Sequence, residues 1–290
     1  MMSSWITPLL LQKDTRESTI DYVLSRRCEG GGFCFYKLEE PNGSDSYYAL
    51  SILELLAVPF QDEKTVDYLQ TMQHGDGTYD SVFSAFYSIR GLQLLKEKPQ
   101  HQPESYIRRH LDHFALDVRK LPPEVHSIFK RLLFVVELYF SAEMERDEQI
   151  EKNIADFVLS FQNEDRGFGN PSSNLTDTAK ALVILDRLGY PIQELESERF
   201  IRQCGTPLCG FTDIPRRSLS YLEYLHAGIL ASAVIDHRPR YFDRCVDFIL
   251  DCQNRNGGFS RVPHAGIATM EDTYFAVHAL KLLSALEKKL

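Results

Sequence analysis

The chain has 290 residues, 43 % hydrophobic and 25 % charged, with 16 glycines and 13 prolines. That composition belongs to a folded globular protein and excludes a disordered, collagen-like or coiled-coil chain. The 32 basic and 41 acidic residues leave a net charge of −9, which gives the molecule as a whole no electrostatic reason to bind nucleic acid or anionic lipid.

Met1–Leu11 carries no basic segment and no A-x-A cleavage pattern, so no secretory signal is expected. Apolar runs such as Leu132–Val136 are far too short to span a bilayer. The six cysteines (28, 34, 204, 209, 245 and 252) are too sparse for a disulfide framework. Cys245 and Cys252, seven apart in a helical stretch, would stand about 10 Å apart, beyond disulfide reach. Reduced thiols in a cytoplasmic protein are expected.

In chain order, the predicted elements repeat. Thr19-Ile-Asp-Tyr-Val, Thr65-Val-Asp-Tyr-Leu, Ile154-Ala-Asp-Phe-Val and Cys245-Val-Asp-Phe-Ile align, each with an aromatic after an aspartate. Eleven residues beyond Tyr22, Tyr68, Phe157 and Phe248 stand Phe33, Tyr79, Phe168 and Phe259, each near a glycine. Phe200 and Phe211 make a fifth pair. Tyr106 fits the start of a sixth unit whose glycine–aromatic part is lost near Asp117. The period is about 45 residues, giving six repeats with the third degenerate.

Each unit reads as two helices. The first is amphipathic, as in Ile150, Ile154, Phe157, Val158 and Phe161, and runs into a glycine loop. The second is apolar almost all round, as in Tyr47–Leu56, Ala179–Leu188 and Tyr274–Leu286, and is therefore expected to be buried on every face. The polar turns Ser44-Asp45-Ser46, Thr176-Asp177-Thr178 and Glu271-Asp272-Thr273 are its expected N-caps. The expected fold is all-α: six hairpins closed into an (α/α)6 toroid with inner and outer helix rings, as one domain over residues 1–290. An open solenoid is the alternative, but it would call for polar capping repeats.

The loops Gln73-His-Gly-Asp-Gly-Thr-Tyr79, Gln162-Asn-Glu-Asp-Arg-Gly-Phe168 and Gln253-Asn-Arg-Asn-Gly-Gly-Phe259, with the Asp-Thr-Tyr-x-x-x-x-Ala-Leu phrase at Asp272–Leu280, resemble the prenyltransferase and squalene-cyclase repeat family. The resemblance runs from Thr19 to Leu286 and implies a toroid like a protein-prenyltransferase β subunit or a single cyclase unit. Protein prenyltransferases bind zinc through an Asp-x-Cys opening the fifth inner helix and a histidine in an Asp-x-x-His phrase opening the sixth. Here Phe275 replaces that histidine, and no cysteine lies between Cys209 and Cys245. The resemblance therefore implies that the family zinc site is absent, and no cofactor is expected. Class II cyclases carry Asp-x-Asp-Asp-Thr-Ala, whose middle acid protonates an alkene. The corresponding phrase is Asn174-Leu-Thr-Asp177-Thr-Ala179, with Thr176 at the acid's position, and a hydroxyl of high pKa does not protonate an alkene.

Counting three residues beyond the recurring aspartates gives Tyr48, Lys180 and Phe275, with Tyr87 in the second repeat and Tyr221 or Glu223 in the fifth. By analogy with the family these face the barrel axis, either as ordinary core or as an aromatic-lined cavity for a polyprenyl chain. A lysine in such a lining needs an anion, and Asp177, Glu223 or a ligand diphosphate are candidates. Arg216 and Arg217, before the fifth inner helix, stand where the family carries diphosphate-binding bases; otherwise they are solvated surface arginines. Lys180, Asp177 and Asp272 are the candidate catalytic residues. Tyr48, Tyr87, Tyr221, Glu223, Phe275, Arg216 and Arg217 are the candidate substrate-binding ones. His226 and His278 fall on adjacent inner helices, as core histidines or a metal pair. Cys204 and Cys209 lack the second half of a zinc motif. The expected function is an isoprenoid- or isoprenyl-diphosphate-binding toroid, active as a zinc-independent prenyl transferase or terpene cyclase. The alternative is a catalytically inactive toroid that binds a ligand or a helical partner subunit. A carbohydrate-active barrel would need two facing carboxylates, Asp177 with Asp272 or Glu223.

Overall fold

The computed structural model describes residues 13–36, 40–114, 127–142 and 144–288. Met1–Leu11 and the region around Asp117 lie outside these. Twelve α-helices are present among the described residues. Six outer helices, α1 (Lys13–Leu24), α3 (Glu63–Thr71), α5 (Glu104–Asp112), α7 (Glu148–Leu159), α9 (Glu198–Cys204) and α11 (Phe242–Asp251), alternate with six inner ones. The inner helices are α2 (Gly43–Leu55), α4 (Val82–Leu94), α6 (Lys130–Ser141), α8 (Leu175–Arg187), α10 (Leu222–Val234) and α12 (Met270–Glu287). Each inner helix packs on the next, and α12 returns to α2, closing the ring. Each outer helix packs on the inner helix that follows it. This is the expected toroid. No helix among the described residues is long and apolar enough to cross a membrane.

The recurring aromatics sit at the joints between the two rings. Phe33, Phe168 and Phe259 are fully buried. Their backbone N–H groups donate to hydroxyls on the following inner helix: Ser46 at 2.9 Å, Thr178 at 2.9 Å and Thr273 at 3.0 Å. Buried amides must be paired, and these hydroxyls pair them where a loop meets a helix start. The loop glutamines stitch neighbouring units. Gln73 donates to the His101 carbonyl at 2.9 Å and Gln162 to the Leu195 carbonyl at 2.9 Å. Gln253 donates to Ser18 Oγ at 3.2 Å, joining the last unit to the first. The fifth unit replaces the stitch with a two-stranded antiparallel ribbon, β1 (Gly205–Thr206) and β2 (Gly210–Phe211).

Ring closure has its own fittings. Tyr22 donates its hydroxyl to the Ala268 carbonyl at 2.8 Å. Gly257 has φ +88° and lies so close to α1 that a Cβ there would come within 1.9 Å of the Ser18 carbonyl oxygen. Gly31 repeats this at the next joint, 2.1 Å from the Lys64 carbonyl oxygen. Only glycine tolerates both the positive φ and the approach.

The expected N-caps are three residues out of place. Asn42, Asn174 and Thr269 are the caps: Asn42 Oδ1 accepts from Ser44 N at 2.9 Å, Asn174 Oδ1 from Asp177 N at 2.7 Å and Thr269 Oγ1 from Asp272 N at 2.9 Å. Asp45, Asp177 and Asp272 therefore stand in the first turn as acids facing the positive helix end. Two of them also bind their cap: Asn174 Nδ2 donates to Asp177 at 2.8 Å and Thr269 Oγ1 to Asp272 at 2.7 Å.

Candidate functional site

The ring surrounds a cavity of about 320 Å³, at the small end of the roughly 300–1,000 Å³ range of ligand sites. The cap positions explain its lining. Residues five, six and nine after the N-cap point to the axis: Tyr47 and Tyr48 on α2, then Phe86 and Arg90 on α4. The other helices supply Ala179, Lys180 and Val183 on α8, His226, Ala227 and Leu230 on α10, and Tyr274, Phe275 and His278 on α12. On α6 the count is shifted by one, giving Leu133, Phe134 and Glu137, and Lys130 joins them from the first turn.

Aromatic rings form a nearly continuous belt around this lining. Phe134 stacks on Phe86 with centroids 3.9 Å apart, Phe86 meets Tyr47 at 5.0 Å, and Tyr48 meets Tyr274 at 5.3 Å. His226 stacks on Phe275 at 4.7 Å, and His278 on Tyr274 at 5.3 Å. Helix α8 interrupts the belt with alanine, lysine and valine, so Lys180 faces aromatic rings from the one non-aromatic sector.

Among the described residues, no hydrogen-bond or ion-pair partner reaches the Lys180 ammonium. Burial lowers its pKa from the ordinary 10.5; the carboxylates of Glu223, Asp177 and Glu271 act on it in the opposite direction, and Lys130 reinforces the lowering. The two histidines share a hydrogen bond, His226 Nε2 to His278 Nδ1 at 3.0 Å. Burial holds both imidazoles neutral, His226 well below its ordinary value and His278 down to about 4. Lys130 lies 3.5 Å from Glu271, which also accepts from the Tyr48 hydroxyl at 2.8 Å.

The mouth lies at the inner-helix N-termini and is bordered by Asp45, Tyr87, Glu223, Arg261, Glu271 and Asp272. Burial raises Asp45 and Asp272 to about 6. At the other end Arg90 and Arg187 flank Glu137, which accepts from Arg187 Nε at 2.8 Å.

The structure brings Lys180, Tyr48, Phe275 and Glu223 to the cavity, and Tyr87 and Asp272 to its mouth. The fifth-repeat alternatives separate. Glu223 faces the cavity, whereas Tyr221 is the N-cap of α10, outside the lining, with the Arg261 guanidinium 4.1 Å over its ring. Arg216 and Arg217 are exposed and border neither cavity nor mouth. Asp177 is buried between α6 and α8, where its Oδ1 accepts from Ile128 N at 2.9 Å. It lines neither cavity nor mouth, so the carboxylate pairings named for a carbohydrate-active barrel do not face across the axis. Among the described residues no group of three or more histidine, cysteine, aspartate or glutamate side chains is arranged to hold a metal ion. Tyr47, Phe86, Phe134, Tyr274, Lys130 and Glu271 are lining residues that counting one position per helix misses. Counting five, six and nine from the caps finds most of them.

A family model for the prenyltransferase alpha-alpha toroid domain matches residues 3–90 and 100–290. Among solved structures, the chain is similar to protein geranylgeranyltransferase-I of Candida albicans complexed with GGPP, at 15 % identity over 83 % of each chain and a TM-score of 0.60. It is similar to a type II terpene cyclase from Scytonema in complex with geranylgeranyl dihydroxybenzoate, at 9 % identity over 98 % of this chain and 100 % of that one, with a TM-score of 0.62. A protein from Actinoplanes matches at 15 % identity over 94 % and 99 %, with a TM-score of 0.56. At these identities the likeness shows the fold. No curated protein matches the chain.

Proposed function

The chain belongs to the prenyltransferase alpha-alpha toroid family, and from that premise we propose that its cavity binds an isoprenoid chain whose anionic end, a diphosphate, is met by Lys180. The observation that carries this reading is the pairing of an aromatic belt with one unpartnered cation in its gap. Ring faces hold a polyene by dispersion and steady a developing allylic cation through their negative quadrupole. An ammonium in a site of low dielectric stabilises a departing diphosphate far more than it would in water. Asp272, held near pH 6 at the mouth, is the group we assign to accept a proton from an incoming nucleophile. The reaction class is zinc-independent prenyl transfer or cyclisation. Six buried cysteines, none of them in a disulfide, suit a reducing, cytoplasmic setting. Both solved relatives quoted with a bound molecule hold a geranylgeranyl compound, which supports the chain type without fixing its length.

A second reading rests on the mouth. Among the described residues, four carboxylates, Asp45, Glu223, Glu271 and Asp272, face two cations there, Lys130 and Arg261. That surplus opposes a diphosphate and favours a neutral isoprenoid, held by a binding or partner subunit and not turned over. Calorimetric titration with geranylgeranyl diphosphate and with geranylgeraniol tests both readings. One saturable site with a negative heat-capacity change supports isoprenoid binding. Tighter diphosphate binding supports the first reading and tighter alcohol binding the second. No saturable heat from either probe overturns both.

A further inference from the structure

Lys180 has a chemistry open to it besides charge pairing. Its side chain reaches the cavity from the sixth position after the α8 cap, and no oxygen lies within hydrogen-bond or ion-pair reach among the described residues. Opposite it are ring faces, and beside it is the neutral His226–His278 pair, whose bridging contact is 3.0 Å. A pair of neutral imidazoles joined by one hydrogen bond keeps one free N–H and one bare nitrogen, whichever tautomer it adopts. His226 is only 8 % exposed, and among the described residues its second ring nitrogen has no hydrogen-bond partner. A hydrocarbon ligand alone would leave that nitrogen unsatisfied.

We propose that Lys180 is an amine nucleophile that captures an apolar aldehyde carried on an isoprenoid chain, with the His226–His278 pair moving the protons. This rests on the reading that the cavity takes an isoprenoid chain. In the first step the Nζ lone pair forms a C–N bond to the carbonyl carbon. The C=O π pair moves to oxygen, which takes the proton given up by nitrogen, and the product is a carbinolamine. In the second step the imidazole pair gives a proton to the hydroxyl, the nitrogen lone pair forms C=N as that group leaves as water, and the iminium N–H returns its proton to the pair. The sum is an aldehyde and an amine giving an imine and water, with no oxidant or reductant. The step needs a neutral amine, and desolvation in the aromatic lining favours that form. Glu223 and Glu271, on the mouth side, are the counter-charges for an imine that takes up a proton.

The test incubates the full chain with farnesal, reduces with cyanoborohydride, and reads intact mass and the modified peptide. The expected result is one reduced farnesyl amine per chain, on Lys180, at no less than ten times the yield at any other lysine. It should be competed by farnesol and absent from Lys180→Met. Lys180→Arg keeps the charge but forms no stable imine, and should lose the adduct. Adducts spread over surface lysines, or unchanged in Lys180→Arg, overturn the proposal. Calorimetry with farnesol separates the two levels. Farnesol binding without Lys180 labelling overturns capture and leaves the cavity reading standing. Neither farnesol binding nor labelling overturns both.

Discussion

Replacing Lys180 by methionine keeps the length and apolar bulk of the side chain and removes its charge. Removing a charge that has no partner relieves the fold of a desolvation cost. Exchange of buried ionic groups for apolar ones of similar volume is worth about 1–4 kcal/mol. Lys180 keeps contact with the cavity, so the lower end applies: about 1 kcal/mol, or a rise of about 2 °C in Tm for a chain of this size. The gain should depend on pH. Burial depresses the Lys180 pKa below 10.5, so between the two values the unfolded chain holds the proton and the fold does not. Parent stability therefore rises with pH across that interval. The variant lacks this slope, so its advantage is largest on the acidic side and closes as pH approaches 10.5. Geranylgeranyl diphosphate should bind the variant at least tenfold more weakly, about 1.4 kcal/mol. Denaturant melts from pH 6 to 10.5 and calorimetric titration measure the two quantities. A variant less stable than the parent at every pH would mean that Lys180 neutralises a resident carboxylate, and would refute the reasoning.

Three further outcomes are expected. Asp45→Asn and Asp272→Asn remove carboxylates held at about 6 against an ordinary 3.8; the native state binds the proton more tightly, so stability present below 3.8 is lost as pH rises through 6. Each variant should therefore gain about 1 kcal/mol at pH 7, after screening, and nothing at pH 3.5, by urea melts. Thr178→Val leaves the Phe168 amide unpaired and should cost about 1–3 kcal/mol, whereas an equal loss in an exposed-site control such as Thr71→Val would remove the point. Gly257→Ala should destabilise by several times more than Gly30→Ala in thermal melts, because a Cβ at Gly257 meets the Ser18 carbonyl at 1.9 Å and one at Gly30 meets nothing within 4 Å; equal effects would mean that the joint between first and last units carries no load.

The aromatic anchors made the ring legible in the sequence because a buried ring at each joint cannot vary freely without opening that joint. Phe33, Phe168 and Phe259 recur for that reason. The caps were misplaced because Asp45, Asp177 and Asp272 are good cap residues by type, yet Asn42, Asn174 and Thr269 lie three residues earlier and take the role. Half the cavity is missed for another reason: counting one position per helix finds the residue six beyond each cap and passes over those five and nine beyond it. In the fifth unit no cap is legible at all: Tyr221 caps α10 without a side-chain hydrogen bond, so the sequence does not separate Tyr221 from Glu223. The placing of Arg216 and Arg217 came from the family's pattern. Nothing in their own neighbourhood, an exposed loop, directed them to the axis.

An isoprenoid lying along the aromatic belt would be within reach of photocrosslinking with a benzophenone-bearing isoprenyl diphosphate, read by peptide mapping. Labels on α2, α4, α6 and α12, at residues such as Tyr48, Phe86, Phe134 and Phe275, suppressed by excess geranylgeranyl diphosphate, are the predicted result. Labels confined to outer surfaces, such as the exposed Leu208 and Leu219, and not suppressed by competitor, would contradict it.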